Sequence, residues 1–168
     1  NKREQEAGTR HTYLPFKLHQ FISQTGSVYT TLDQDSERYI TLEPGAYKSD
    51  GSGKKPLFPN VFSRYSGHPF ICVAKNDERR KIEPREFKHL TDDDDNEHGY
   101  LIVGNEIWDS ETDLENLPDS WLRFGKDGRV SGVQKKYRGK LPVKIYYDEE
   151  GNFTYNEPMK YWAWYMPT

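Results

Sequence analysis

Apolar positions along this chain mostly alternate with polar ones or run in short blocks, and few recur at helical spacing. The exception lies near the start. Leu14, Leu18, Phe21 and Ile22 share one face of a 3.6-residue repeat, Thr12 is a candidate cap, and Pro15 suits a first turn. Together with Gly26 as a stop, the spacing predicts a short helix over about 13–23. Beyond it the pattern is extended. VYTTL (28–32) and RYITL (38–42), separated by the polar DQDSE, predict a hairpin of β-branched and aromatic residues. HPFICVAKN (68–76) and GYLIVGNEIW (99–108) are continuous apolar runs of the kind that strands buried on both faces show, and they are expected to pair at the centre of a sheet. LPVKIYY and FTYN flank the turn DEEGN and predict a second hairpin, with Tyr146, Phe153 and Tyr155 as cross-strand partners.

Other segments read less regularly. KSDGSGKKPLFPN (48–60) is the strongest loop signal, and its GSGKK lacks the spacing of a phosphate-binding loop. Glu83-Pro84 is expected to open a short helix. SETDLENLPDSW is expected to form a short acidic helix or turn, with a strand beginning at Trp121. The four carboxylates of TDDDDNEH repel one another and predict a solvated loop. In the closing KYWAWYMPT, an extended chain would turn Tyr161, Ala163 and Tyr165 one way and Trp162, Trp164 and Met166 the other. Both faces then carry large rings. The segment is therefore either a central strand covered on both sides, an aromatic platform, or an interface to a neighbouring domain of the same polypeptide. The fold class expected is α+β: mostly antiparallel sheet, one or two short helices and an aromatic-rich core.

Composition changes the picture in three ways. Hydrophobic residues make up only 33% of the 168, but four Trp, twelve Tyr and eight Phe supply large buried area per residue, which argues against disorder. The length suits one domain over 11–168 after a flexible segment 1–10; the start at Asn1 and the terminal tryptophans suggest a domain excised from a larger protein. A single cysteine, Cys72, rules out an intrachain disulfide and a cysteine-based zinc site and favours an intracellular setting, cytoplasmic or nuclear. No apolar run reaches the length of a membrane span.

Charge is the third. The net value of −3 conceals two zones. Residues 92–119 hold eleven acids and no Lys or Arg; residues 126–144 hold seven bases and one acid. In the basic zone Lys135, Lys136 and Arg138 surround Tyr137, and Trp121, Phe124, Tyr146, Trp162 and Trp164 add rings. Rings that stack on bases beside cations that meet phosphates suit a single-stranded nucleic acid, and the same surface suits a protein partner. This gives the leading expectation: a non-catalytic recognition domain that needs no cofactor. The alternative is a small phosphodiester-cleaving enzyme. Its acid–base groups would come from His11, His19 and His68, or a divalent ion, Mg²⁺ or Ca²⁺, would sit on Asp109, Glu111 and Asp113, which alternate with Glu115 and would share one face of an extended strand. Cys72 lies inside an apolar run and reads as core packing.

Overall fold

The computed structural model describes residues 22–49, 54–63, 67–88, 95–104, 107–109 and 112–168. In chain order the strands are β1 (Ile22–Thr30), β2 (Ile40–Thr41), β3 (Tyr47–Ser49), β4 (Lys54–Pro56), β5 (Phe58–Ser63), β6 (Pro69–Asn76) and β7 (Lys81–Pro84). They continue with β8 (Glu97–Ile102), β9 (Leu122–Phe124), β10 (Val130–Val133), β11 (Val143–Tyr147), β12 (Phe153–Thr154) and β13 (Tyr161–Pro167). The only helical elements among the described residues are 3-10 turns at 35–37, 114–116, 119–121 and 135–140. The fold is thus mostly antiparallel sheet with minimal helix. The helix expected over 13–23 lies outside the described residues except for Ile22 and Ser23, which already belong to β1.

Nine strands form one antiparallel sheet in the order β12-β11-β13-β8-β6-β5-β1-β2, with β7 as a branch on β6. The expected central pair is present: Ile71 faces Leu101 and Cys72 faces Tyr100 across β6 and β8. Both expected hairpins form, through Tyr29↔Thr41 and Tyr147↔Phe153. Phe153 opposes Tyr147 rather than Tyr146, whose partner is Thr154. Two expectations are overturned. Glu83 and Pro84 end strand β7 instead of opening a helix, because Lys81–Pro84 pairs along β6 and the buried Arg85 guanidinium then donates to the carbonyls of Val73, Gly99, Glu86 and Phe87. The loop read over 48–60 contains the β3–β4 hairpin and the start of β5.

The sheet closes on itself. A bridge joins Lys81 to Asn152, with Ile82 N–H donating to Gly151 O at 2.7 Å and Phe153 N–H to Arg80 O at 3.0 Å. Strands β6, β8, β13, β11, β12 and β7 therefore make a ring. Gly151 makes the closure possible: its φ is +87°, and a Cβ there would lie 2.4 Å from Ile82 O. Strand alternation sends Ile71, Val73, Ile82, Leu101, Ile145, Tyr147, Ala163 and Tyr165 to one buried cluster inside the ring, where Leu32, Phe58 and Phe153 join them. The opposite face, with Phe70, Cys72, Tyr100, Ile102, Trp164 and Met166, is covered by Trp108, Leu117, Leu122 and Val133. Buried rings are divided between the two sides, Phe58, Tyr147, Phe153 and Tyr165 within and Phe70, Tyr100, Trp108 and Trp164 without, rather than gathered in one cluster.

β13 lies between β11 and β8 and is buried on both faces, which answers the pattern of KYWAWYMPT: it is a central strand.

Candidate functional site

The layer over the outer face is built from 107–141 and carries the basic zone. Its scaffold is the β9–β10 hairpin, whose turn is closed by Gly125 N–H to Arg129 O at 2.7 Å and by the Asp127 carboxylate accepting from Arg129 N–H. Gln134 fastens the hairpin to the next turn. Its N–H donates to Trp121 O, and its side-chain amide donates to Ser120 O and Leu122 O at 2.9 and 3.1 Å. This places Tyr137 flat on Trp121, with ring centroids 4.8 Å apart and planes 7° from parallel. Lys136 Nζ lies 4.7 Å from the Tyr137 centroid, and across the neighbouring strands Lys144 Nζ lies 4.2 Å from the Trp162 ring.

Trp121, Tyr137 and Trp162 are half-buried and pack around the same outer cluster, so the structure brings together three of the expected ring residues. Trp164 differs. It is a member of that cluster, and its ring is core rather than surface. The ring that stands clear is Phe124, 52% exposed at the end of β9. Arg123, Lys126 and Arg129 are its cationic neighbours in sequence. The hairpin register sets Val130 opposite Phe124, while Arg123, one residue before, turns to the other face beside Gly132.

Charge in this layer is divided along the chain, with the acids in 107–119 and the cations in 123–140. Among the described residues Arg123, Lys126, Arg129, Lys135, Lys136, Arg138 and Lys140 form no ion pair. Several lysines and arginines elsewhere are engaged: Lys55 with Asp33 at 2.9 Å, Lys75 with Asp77 and Glu97 at 2.8 and 2.9 Å, Lys160 with Glu149 at 3.2 Å, and Arg85 with carbonyls.

The groups expected for catalysis or metal binding do not assemble. His11, His19 and Glu111 lie outside the described residues. His68 packs edge-on against Phe70 at 5.8 Å, and burial, with the Arg38 charge added, lowers its pKa. Asp109, Asp113 and Glu115 lie on a loop and a 3-10 turn, not on a strand, so the shared face is lost. Asp113 accepts from Asp109 N–H at 2.8 Å and from the Asn116 amide, and Asp109 accepts from Thr112 N–H. Both carboxylates are spent on folding their own loop. No group of three His, Cys, Asp or Glu among the described residues is placed to hold a metal ion. Cys72 is fully buried, and burial pushes its pKa up to about 12, which makes it inert packing. No helix among the described residues is long and apolar enough to cross a membrane.

The chain matches no protein-family model, and comparison with curated proteins and with solved structures returned no match.

Proposed function

We propose that this domain is a non-catalytic recognition module that binds single-stranded nucleic acid over the β9–β10 hairpin and the 135–140 turn. The observation that carries the reading is Phe124, an exposed ring at the end of a hairpin whose cations have no carboxylate partner among the described residues. An open aromatic face accepts a base regardless of its identity, and mobile lysines and arginines track the phosphates beside it. The half-buried Trp121, Tyr137 and Trp162 edges extend that surface toward β13. Lys135, Lys136, Arg138 and Lys140 continue the track along the turn. The reading carries with it an intracellular setting, cytoplasmic or nuclear, and requires no cofactor.

Titration of the protein with fluorescein-labelled dT and rU oligonucleotides at several salt concentrations tests it. Affinity is expected to fall as salt rises, with a log–log slope that shrinks by about 0.7 for each cation removed from Arg123, Lys126 and Arg129. Phe124→Ala is expected to cost about 1–3 kcal/mol of binding, some 5–150-fold, without change in thermal stability, because the ring is not part of the core. A salt-independent affinity, or a Phe124→Ala variant that binds as wild type does, refutes the assignment and leaves an acidic protein as the partner to pursue.

A further inference from the structure

A second surface follows from the way the sheet branches. β5 and β7 both pair along the same edge of β6, β5 with its first half through Asn60↔Ile71 and β7 with its second half through Val73↔Pro84 and Lys75↔Ile82. Beyond β6 the two strands part, and the β3–β4 hairpin lies against the fork. The result is an open cleft of about 710 Å³, within the size range of ligand sites.

Its walls and its rim have different chemistry. Leu57 and Ile82 are buried at its base. Tyr29 stands in register with Pro59 across β1 and β5, and together with Pro56 and Pro84 they make rigid apolar walls that offer few backbone donors. Tyr47, 57% exposed, forms the lip. Among the described residues the charged groups lining it are Glu83, Glu86, Glu150 and one cation, Lys81. Lys81 is held by Asn152 Oδ1 at 3.1 Å. Glu83 has only a loose surface contact of 3.9 Å with Arg79, and Glu86 and Glu150 form no ion pair among the described residues. The three carboxylates come from separate elements and are not gathered for a metal ion. They would repel a phosphate.

We infer that this cleft binds an extended peptide segment that carries an arginine or lysine beside proline or leucine. The apolar side chain lies between the tyrosines and prolines, as extended peptides do in aromatic-lined grooves, and the cation reaches Glu86 or Glu150 at the rim. The cleft uses none of the residues assigned to nucleic-acid binding, so either surface can fail without the other.

The probe is a fluorescein-labelled octapeptide of repeating Arg-Pro-Leu, with the same peptide bearing Glu for Arg as control, followed by anisotropy and by amide shifts of the whole chain. The expected result is binding of the Arg peptide alone, with shifts confined to 44–47, 56–59 and 81–86. Glu86→Lys combined with Glu150→Lys should weaken it at least tenfold, about 1.4 kcal/mol. Tyr47→Ala should weaken it as well. Melting temperature and oligonucleotide affinity serve as controls and should stay as in wild type. Equal binding of both peptides, shifts centred on 121–140, or no binding at millimolar peptide overturns the inference. So do cleft shifts that depend on protein concentration alone, which would assign the cleft to a second copy of this chain.

Discussion

Lys75→Met tests how the ring is sealed. Lys75 has the strand parity of Ile71 and Val73 and points inward with them, yet it carries a charge and its side chain is only 4% exposed. Its ammonium has three donors and three acceptors: Asp77 Oδ2 at 2.8 Å, Glu97 Oε2 at 2.9 Å and Tyr155 Oη at 2.7 Å. Tyr155 passes its own proton toward Asp77. The rings of Tyr165, Tyr155 and Phe153 lie 4.8, 5.4 and 6.0 Å from Nζ. Methionine keeps most of the apolar side chain and its contact with these rings and removes the ammonium with its charge and three donors. Each lost charge-assisted hydrogen bond is worth about 1.5–3 kcal/mol. Against that, the ammonium no longer has to be desolvated, a saving of several kcal/mol. Asp77 and Glu97, 53% and 35% exposed, rehydrate. The balance is a destabilisation of about 1–3 kcal/mol, below the ~3–5 kcal/mol for breaking a pair buried at both ends. Lys75→Ala also removes three methylenes at ~0.8 kcal/mol each and leaves a cavity, for a total of about 3–5 kcal/mol.

Urea unfolding at pH 7 reads these differences, and its pH dependence separates charge from packing. Burial alone would lower the Lys75 pKa, but the hydrogen bonds its ammonium donates to Asp77, Tyr155 and Glu97 outweigh it and hold the group above the ordinary lysine value. A raised lysine contributes stability that is fully present below its unfolded value of about 10.4 and is lost as pH rises through the folded one. Burial would likewise raise Asp77, but Lys75 and Tyr155 hold it below the usual carboxylate range. A depressed carboxylate contributes stability that is present above about pH 3.9 and is lost as pH falls through the folded value. In Lys75→Met the alkaline loss disappears and the acid loss shrinks. A methionine variant as stable as wild type at pH 7, with the wild-type slope below pH 4, would refute the reasoning.

Two further outcomes are expected. Gly151→Ala meets Ile82 O at 2.4 Å in a left-handed backbone region, so it should break the Lys81–Asn152 closure at a cost of about 3 kcal/mol; calorimetry should show a Tm lower by about 6–12 °C. Cys72 should stay unmodified by Ellman's reagent at pH 8 in the native protein and react fully in urea, since its burial suppresses the thiolate.

Much of the sheet was legible because its signals are local. The runs around Ile71 and Leu101 have no polar face to turn outward, so they belong in the middle, and DEEGN between two aromatic strands marks a hairpin, though not its register, which sets Tyr147 rather than Tyr146 opposite Phe153. What was not legible depends on contacts far apart in sequence. Ring closure joins Lys81 to Asn152 through a glycine that reads as an ordinary turn residue. Glu83-Pro84 carries a helix-start signal, but pairing along β6 and four carbonyls for Arg85 outweigh that local preference. The site divides in the same way. The cation run is visible in composition, as are the rings near it. Which ring is covered is decided by layers that composition does not encode: Trp164 goes into the core and Phe124 stays out. The alternating carboxylates at 109–115 suggested a shared face, but Asp113 accepts from Asp109 N–H and folds the segment into a loop.

The contrast between paired and unpaired charge bears most directly on function. Elsewhere the fold pairs buried cations closely: Lys75 has three acceptors and Arg85 donates to four carbonyls. A surface that served solubility alone would gain as much from interspersed signs, and local ion pairs would then hold its side chains. Within the layer over 107–141 the 123–140 stretch does the opposite, with seven cations and a single acid whose carboxylate is committed to its own turn, and the layer's other acids are confined to 107–119. Such cations repel one another in the free protein, a cost that screening by salt reduces but does not remove. A polyanion relieves that repulsion on binding, and no intramolecular pair has to be broken first. On the proposed reading, part of the gain of association would come from relieving this repulsion, and the affinity should grow as salt is lowered.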